Sequence, residues 1–309
     1  MAQVAFDEDG GGLPPIAGHL HFQSMDHHYV PQFLLKQWTD ETGRLVRYRR
    51  AYGKLSTKRM FPKATGYGVD LYAFTGLTTE IERQALETGF MQKVDERGAV
   101  CLQALLQAGG RPPDDALALD WCRFVSSMIS RSPGALERMA AYAPVSEVRD
   151  LAALEPEYQR RRHPDWAPTL AEHVAAGETG FDLELAKVNL DRLISSDMVL
   201  ETINRMHWTV VRGEDADLDC LLTDEPVRFG GFRSVEGFVI MPIGPRAAFL
   251  AAGDLNMFRV LSTQMGASAF FRKLNADNLS AARELVLARD EKQRRLIEDR
   301  FHPDVQTAD

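Results

Sequence analysis

Helical and strand-like patterns occupy separate blocks of this sequence, and that separation constrains the fold more than any other feature. Residues 79–204 carry mainly helical apolar spacing, whereas four short strand patterns follow at 207–211, 220–223, 237–243 and 247–252. Separate blocks are typical of α+β proteins, not of doubly wound sheets. We predict a predominantly α-helical α+β fold with an N-terminal β element, a long helical region, a small antiparallel sheet and C-terminal helices at 256–274 and 277–300.

The length of 309 residues allows one large core or two modest ones. We predict a flexible N-terminal lead-in at 1–22, which is rich in Gly, Pro and acidic residues, and one α+β domain at 23–309 with a helical insert around 135–204. The lead-in lacks the basic and apolar regions of a signal peptide. The three cysteines are far apart, and no apolar run has the roughly 18 residues that cross a membrane. We therefore expect a cytoplasmic protein with reduced thiols and no membrane partner.

The charge of the chain limits the kinds of partner that we expect. The net charge is -8 at pH 7, which disfavours a general nucleic-acid coat because phosphate backbones attract basic faces. A small, locally basic groove stays compatible with this charge, and the strand-like segment 44–50 does place Tyr48 between arginines. The partners to consider are therefore a small anionic substrate or a nucleic acid.

The densest set of reactive side chains lies in residues 26–38. His27 and His28 are adjacent, so in a strand they point to opposite sides and cannot easily hold one ion together. A site would combine one imidazole with carboxylates from elsewhere, and the alternative is that both rings make structural hydrogen bonds. Gln32 and Lys36 are one helical turn apart, so they can project from one face.

Three carboxylates and one arginine are the other candidates. Glu87 and Asp95 are eight residues apart, which on an unbroken α-helix leaves them about 80° apart around the axis. Asp224 follows an apolar strand and precedes Glu225-Pro226, a position that suits either a site or an Asx turn. Arg131 ends an apolar helix, where it either binds an anion or carboxylate or complements the helix dipole.

Four segments together resemble a bacterial family of proteins of unknown function, the family numbered 4238. The opening segment His27-His28-Tyr29-Val30-Pro31-Gln32, followed by Leu and Trp, is the most specific of them. The others are Leu86–Phe90 with Val94-Asp95, the turn Thr223-Asp224-Glu225-Pro226-Val227, and Leu274-Asn275 with Ala281-Ala282. In the turn, Glu225 stands where the family more often has Asn. The resemblance implies a single-domain intracellular bacterial protein and carries no established activity.

Two functional hypotheses follow, and both expect the histidine segment to fold onto the Asp224 turn. In the first, the protein is a metal-dependent hydrolase acting on a phosphoester or another anionic substrate, with Mg, Mn or Zn as the metal. Its metal ligands would be His28, Glu87, Asp95 and Asp224, its catalytic residues His27, His28, Gln32 and Asp224, and its substrate-binding residues Lys36 and Arg131. In the second, the protein is a non-catalytic binding or regulatory module in which the HHYVPQ and TDEPV segments are structural.

Overall fold

The fold is an α+β arrangement with more helix than strand, about 50% helix and 17% strand, in a computed structural model. The structure describes residues 23–51, 54–77, 79–232 and 234–302. The predicted lead-in at 1–22 lies outside these residues. The predicted order of an N-terminal β element, a helical region, small antiparallel sheets and C-terminal helices is confirmed.

Ten strands form three antiparallel sheets, with the orders β1-β4, β3-β2-β10-β6 and β5-β9-β8-β7 among the described residues. The strands are β1 (Asp26–His28), β2 (Leu45–Ala51), β3 (Lys54–Met60), β4 (Tyr67–Val69), β5 (His207–Arg212), β6 (Leu222–Thr223), β7 (Arg228–Gly230), β8 (Phe238–Gly244), β9 (Ala247–Ala252) and β10 (Val286–Ala288). The N-terminal hairpin β2–β3 therefore reaches β6 through β10, a strand from the end of the chain.

The helices of the described residues lie between and after these strands. They are α1 (Gln32–Leu35), α2 (Glu80–Arg83), α3 (Gln92–Ala108), α4 (Asp115–Ser130), α5 (Pro133–Tyr142), α6 (Glu155–Arg161), α7 (Leu170–Ala175), α8 (Gly180–Val188), α9 (Leu190–Ile194), α10 (Asp197–Asn204), α11 (Leu255–Arg259), α12 (Ala267–Ala281) and α13 (Arg294–Arg300). Two π-helical turns, Glu87–Met91 and Val260–Gln264, adjoin α3 and α11. No described helix has the length and apolar character needed to span a membrane.

The two longest helices form the centre of the main core. The Asp114 side chain caps α4 by accepting from the backbone N–H of Ala116 at 2.8 Å. Gly98 of α3 packs directly against the ring of Phe124, so the two helices approach closely. The indole N–H of Trp38 donates to the carbonyl of Cys220 at 2.8 Å, which fixes the N-terminal segment to the chain just before β6.

One detail of the strand prediction and one of the helix prediction were wrong. The pattern at 220–223 was expected in one sheet with the other C-terminal strands, but β6 pairs with β10 in the sheet of the N-terminal hairpin. The helix expected at 277–300 is interrupted, since α12 ends at Ala281 and β10 follows. In β10, Val286 and Leu287 are buried in different apolar clusters. A short run that is apolar on both faces lacks the alternation that distinguishes a strand from a helix.

Candidate functional site

The imidazole of His27 is held inside the protein by backbone contacts. In β1, His27 and His28 point to opposite sides, and β1 pairs with β4 so that His28 lies opposite Tyr67. The Nδ1 atom of His27 accepts from the backbone N–H of Tyr72 at 2.9 Å, and its ring stacks on the Tyr72 ring with the centroids 5.5 Å apart. Burial lowers the pKa of His27, so at neutral pH the ring is uncharged with its proton on Nε2.

Arg131 is the centre of a buried polar junction. Its side chain is 1% exposed and donates to both carboxylate oxygens of Asp95, at 2.5 and 3.1 Å. It also donates to the backbone carbonyl of His28 at 2.7 Å, while its own carbonyl accepts from the Tyr72 hydroxyl at 2.6 Å. The guanidinium predicted to bind a substrate thus donates to Asp95 and to His28 within this chain, while its buried Nε has no partner among the described residues.

The π-helical turn Glu87–Met91 brings Glu87 to the same side as Asp95. A π turn contains about one residue more than an α turn, so the offset of about 80° expected for an unbroken helix falls to about 20°. Both carboxylates consequently act on Arg131 and on each other. Burial raises the pKa of Glu87 to about 7, and its Oε2 atom is buried without a hydrogen-bond partner among the described residues.

Asp224 is enclosed by backbone amides. Its carboxylate accepts from the N–H groups of Arg283, at 3.1 and 3.2 Å, and of Glu284, at 2.8 Å, and the residue is 3% exposed. Burial is the main reason that the pKa of Asp224 is raised to about 7. These contacts close the connection between α12 and β10, which is a structural role.

The histidine segment does reach the Asp224 turn, but through Tyr29 and not through an imidazole. The Tyr29 hydroxyl donates to the Glu284 carboxylate at 3.0 Å, and the amide of Glu284 in turn binds Asp224. The next residue of the turn, Glu225, accepts from Arg138 at 2.8 Å. The turn is therefore bonded both to the segment that follows β1 and to helix α5.

The remaining predicted residues lie elsewhere. Gln32 and Lys36 are exposed and line a small cavity of about 440 Å³, together with Phe61 and Lys63. The described part of the chain contains no group of three or more His, Cys, Asp or Glu side chains that could hold a metal ion. His28, Glu87, Asp95 and Asp224 are accordingly not gathered into one ligand set, and the metal centre stays a prediction.

A large cavity opens beside the Asp224 turn and was not foreseen from the sequence. Its volume is about 1180 Å³, and its wall comes mainly from apolar side chains of α4, α5, α8, α11, α12 and the β7–β8 hairpin. Four methionines and three phenylalanines contribute, namely Met128, Met139, Met257, Met265, Phe229, Phe238 and Phe270. The segments that form this wall are far apart in the sequence, so no local sequence pattern predicts that they meet.

The charged residues of the cavity wall are mostly paired. Arg138 pairs with Glu225 at 2.8 Å, and Lys273 pairs with Asp277 at 3.0 Å. Arg228 differs from them, because it donates only to the carbonyl of Glu225, at 2.6 Å, and its buried Nε has no partner among the described residues. Burial also lowers the pKa of Arg228. This arginine keeps a donor for an anion.

Comparison with known proteins places the chain in a family. Neither the curated proteins nor the solved structures included a match. A family model described as "Protein of unknown function (DUF4238)" matches residues 26–292, which include β1, the polar junction, the Asp224 turn and β10. This match confirms the resemblance found in the opening segment, the acidic helix and the turn. Because it covers most of the sequence, the chain belongs to the DUF4238 family of proteins of unknown function.

Proposed function

We propose that the protein is a non-catalytic binding module whose large cavity takes an apolar ligand with one anionic group. The cavity carries this proposal. Its volume of about 1180 Å³ is above the roughly 300–1,000 Å³ usual for small-molecule sites, and a mainly apolar wall with a few polar groups is typical of such sites. Flexible methionine side chains adapt to ligands of different shape, so a chain-like ligand suits this wall.

Arg228 gives the ligand its expected charge. The other cations of the wall have carboxylate partners, whereas the buried Nε of Arg228 keeps an unused donor. A buried donor without a hydrogen-bond partner lowers the stability of the protein. A carboxylate or phosphate would supply that partner through a charge-assisted hydrogen bond. A long-chain fatty acid combines both features of the proposed ligand.

The geometry of the HHYVPQ and TDEPV segments supports the non-catalytic alternative over the hydrolase. The Nδ1 atom of His27 accepts from the Tyr72 amide and its Nε2 atom is buried, while the Asp224 carboxylate accepts from two backbone amides. A general base must reach the proton that it removes. Metal-dependent hydrolysis remains a prediction for which the described residues offer no assembled ligand set.

The location of the protein belongs to the same proposal. All three cysteines are free and buried, as expected in a reducing compartment. We therefore retain a cytoplasmic location as part of the proposal, and a bacterial source is retained on the resemblance to the family alone.

Displacement of a fluorescent probe tests the binding function. We expect anilinonaphthalene sulfonate to fluoresce with the wild-type protein and hexadecanoate to displace it, while hexadecanol, which lacks the charge, competes less well. Arg228→Gln should weaken hexadecanoate binding at least about tenfold, since a charge-assisted hydrogen bond contributes roughly 1.5–3 kcal/mol. Met257→Trp, which fills part of the cavity, should lower probe binding.

The control for charge is Arg289→Gln, which removes an exposed cation away from the cavity. It should bind hexadecanoate as the wild type does. Equal affinity of Arg228→Gln and the wild type, or no displacement by hexadecanoate, would contradict the proposal.

A further inference from the structure

The N-terminal hairpin carries a concentrated positive charge on one side. Antiparallel pairing sets Arg47 opposite Lys58, and Lys54 lies opposite the end of β2. Residues directly opposite in such a pair share a face, as do alternate residues along one strand. Arg47, Arg49, Lys54 and Lys58 consequently project from one side of the hairpin, and we name these four residues the basic face.

No carboxylate of the described residues neutralises the basic face. None of its four side chains makes an ion pair or a side-chain hydrogen bond there. On the opposite side of the same hairpin the cations are engaged, since Arg59 pairs with Asp40 and Arg50 donates to the carbonyls of Glu298 and Phe301. The cations are therefore unpaired on one side of the hairpin and paired on the other.

Repulsion between the cations of the basic face destabilises the folded protein when no anion is bound. Like charges directly opposite each other on a sheet are destabilising, and Arg47 and Lys58 are such a pair. Burial lowers the pKa of Arg47, and the positive charge of Arg49, two residues along the same strand, lowers it further. A polyanion would remove that repulsion.

The surroundings of the basic face indicate the kind of polyanion. Alternate residues on a strand are about 6.8 Å apart, so the cations occupy three successive levels along the hairpin, with Arg47 and Lys58 at the first, Arg49 at the second and Lys54 at the third. Such a series of cations suits the successive phosphates of a strand. Tyr67 is a half-buried residue of β4 whose ring contacts His28, and its hydroxyl acts electrostatically on Arg47, so this tyrosine lies near these cations. Rows of cations next to aromatic rings are the usual means of binding single-stranded nucleic acid.

The ribbon shape of the β2–β3 hairpin favours a single-stranded nucleic acid over other anionic partners. β3 is an edge strand of its sheet, and Arg49, Lys54 and Lys58 of the basic face are exposed. The hairpin exposes no large apolar side chain among its described residues, and such side chains add to charge in firm membrane attachment. We propose that the basic face binds the phosphate backbone of single-stranded nucleic acid, independently of the large cavity.

Fluorescence anisotropy of a labelled oligothymidylate of about 20 nucleotides tests this proposal. If four cations neutralise four phosphates, the plot of log Kobs against log salt concentration should have a slope of about -3, since each contact contributes about -0.7. The quadruple variant Arg47→Gln, Arg49→Gln, Lys54→Gln and Lys58→Gln should lose at least about tenfold in affinity and most of this slope.

A matched quadruple variant separates the basic face from net charge. It neutralises four exposed cations elsewhere, Lys93→Gln, Arg149→Gln, Arg289→Gln and Lys292→Gln. Either variant changes the formal charge from -8 to -12, because four positive charges are removed. The control variant should keep the wild-type salt slope. The single variants Arg49→Gln and Lys58→Gln, which leave the fold least disturbed, should each reduce the slope by about 0.7.

Competing anions identify the partner class. Polyglutamate of matched length and phosphatidylserine vesicles should compete for the basic face much less well than unlabelled oligothymidylate. Equal competition by either of them, or equal slopes for the two quadruple variants, would overturn the proposal. Hexadecanoate binding should be unchanged by the basic-face variant, so its outcome is separate from that of the cavity.

Discussion

Arg131 joins three distant parts of the chain with a single guanidinium. Its bonds to Asp95 and to the His28 carbonyl connect the end of α4 to α3 and β1. Removing one member of a buried ion pair leaves the other charge unpaired. We expect Arg131→Met to lower the free energy of unfolding by about 3–5 kcal/mol, measured by urea denaturation.

The double variant Arg131→Met, Asp95→Leu distinguishes the pair from the packing of the arginine stem. It should recover much of the loss, because no charge is then left buried without a partner. Arg97→Met is the control and should cost much less than Arg131→Met, since Arg97 is 56% exposed in its pair with Asp120. A similar loss in Arg97→Met and Arg131→Met would argue against this account.

Glu87 should make stability depend on pH between its two pKa values. The pKa of Glu87 is about 7 in the folded protein against an ordinary value of 4.5. Between those values the folded state binds more protons than the unfolded state, so stability falls as pH rises, by at most about 1.4 kcal/mol per pH unit. Asp224, with its pKa also raised to about 7, acts in the same direction.

Glu87→Gln should therefore flatten the stability curve between pH 5 and pH 7, as measured by urea denaturation at several pH values. Glu96→Gln, which changes an exposed carboxylate of the same helix, is the control and should leave the curve as it is. If Glu87→Gln leaves the slope unchanged, the carboxyl of Glu87 is not the group that titrates.

The sequence identified the polar residues of the junction better than their roles. Arg131 and Asp95 were both expected to face a partner, and they face each other. Tyr72 and Glu284 were missed, because each acts through a contact more than 40 residues away along the chain. Whether Asp224 meets a metal or two backbone amides depends on where the α12–β10 connection passes, and sequence does not specify that.

At the scale of elements, two glycines of one helical run should respond oppositely to alanine. A Cβ on Gly98 would lie 2.6 Å from the Phe124 ring, so Gly98→Ala should cost about 1–3 kcal/mol through overpacking of α3 against α4. A Cβ on Gly89 would meet nothing within 4 Å, so Gly89→Ala should stabilise by up to about 1 kcal/mol. Melting temperatures of the two variants check both signs, and shifts of equal sign would refute the packing argument.

Helix and strand types were predictable wherever one face of an element was polar. The helical character predicted for residues 79–204 was confirmed, since helices α2 to α10 lie within them. The π turn at Glu87–Met91 was not predicted, since a π turn leaves no distinct apolar period. That turn decides whether Glu87 and Asp95 lie on the same side of the helix. The predicted position of Glu87 relative to Asp95 was therefore inaccurate because the π turn was not foreseen.

The described part of the molecule has one main core and two smaller apolar clusters, one of which lies within the helical insert. The main core draws on residues from Tyr29 to Leu287, including Leu136 and Ile194 of the insert. Val145, Tyr158, Leu170 and Phe181 form a separate small cluster. The single domain predicted at 23–309 therefore contains a part, 145–181, whose apolar contacts are mostly its own.

That part should open before the rest of the molecule unfolds. Its attachment depends on polar contacts of the neighbouring helix α8, where the buried Lys187 pairs with Glu184 and donates to the carbonyl of Ala73 at 2.6 Å, and Glu184 accepts from the Thr75 amide at 3.1 Å. A segment with few buried apolar contacts exchanges its amide hydrogens through local opening. Lys187→Met, which leaves Glu184 buried and unpaired, should speed hydrogen exchange in α6 and α7.

Hydrogen-exchange rates in α6 and α7, compared with those in the main core, test whether the insert opens separately. Amides of α4 and β9 should exchange at nearly wild-type rates in Lys187→Met, because their protection reflects unfolding of the whole molecule. The double variant Lys187→Met, Glu184→Leu should restore slow exchange in α6 and α7, since no buried charge is left alone. If all four elements lost protection together, the insert and the main core would form one cooperative unit, and the small cluster would have no independent stability.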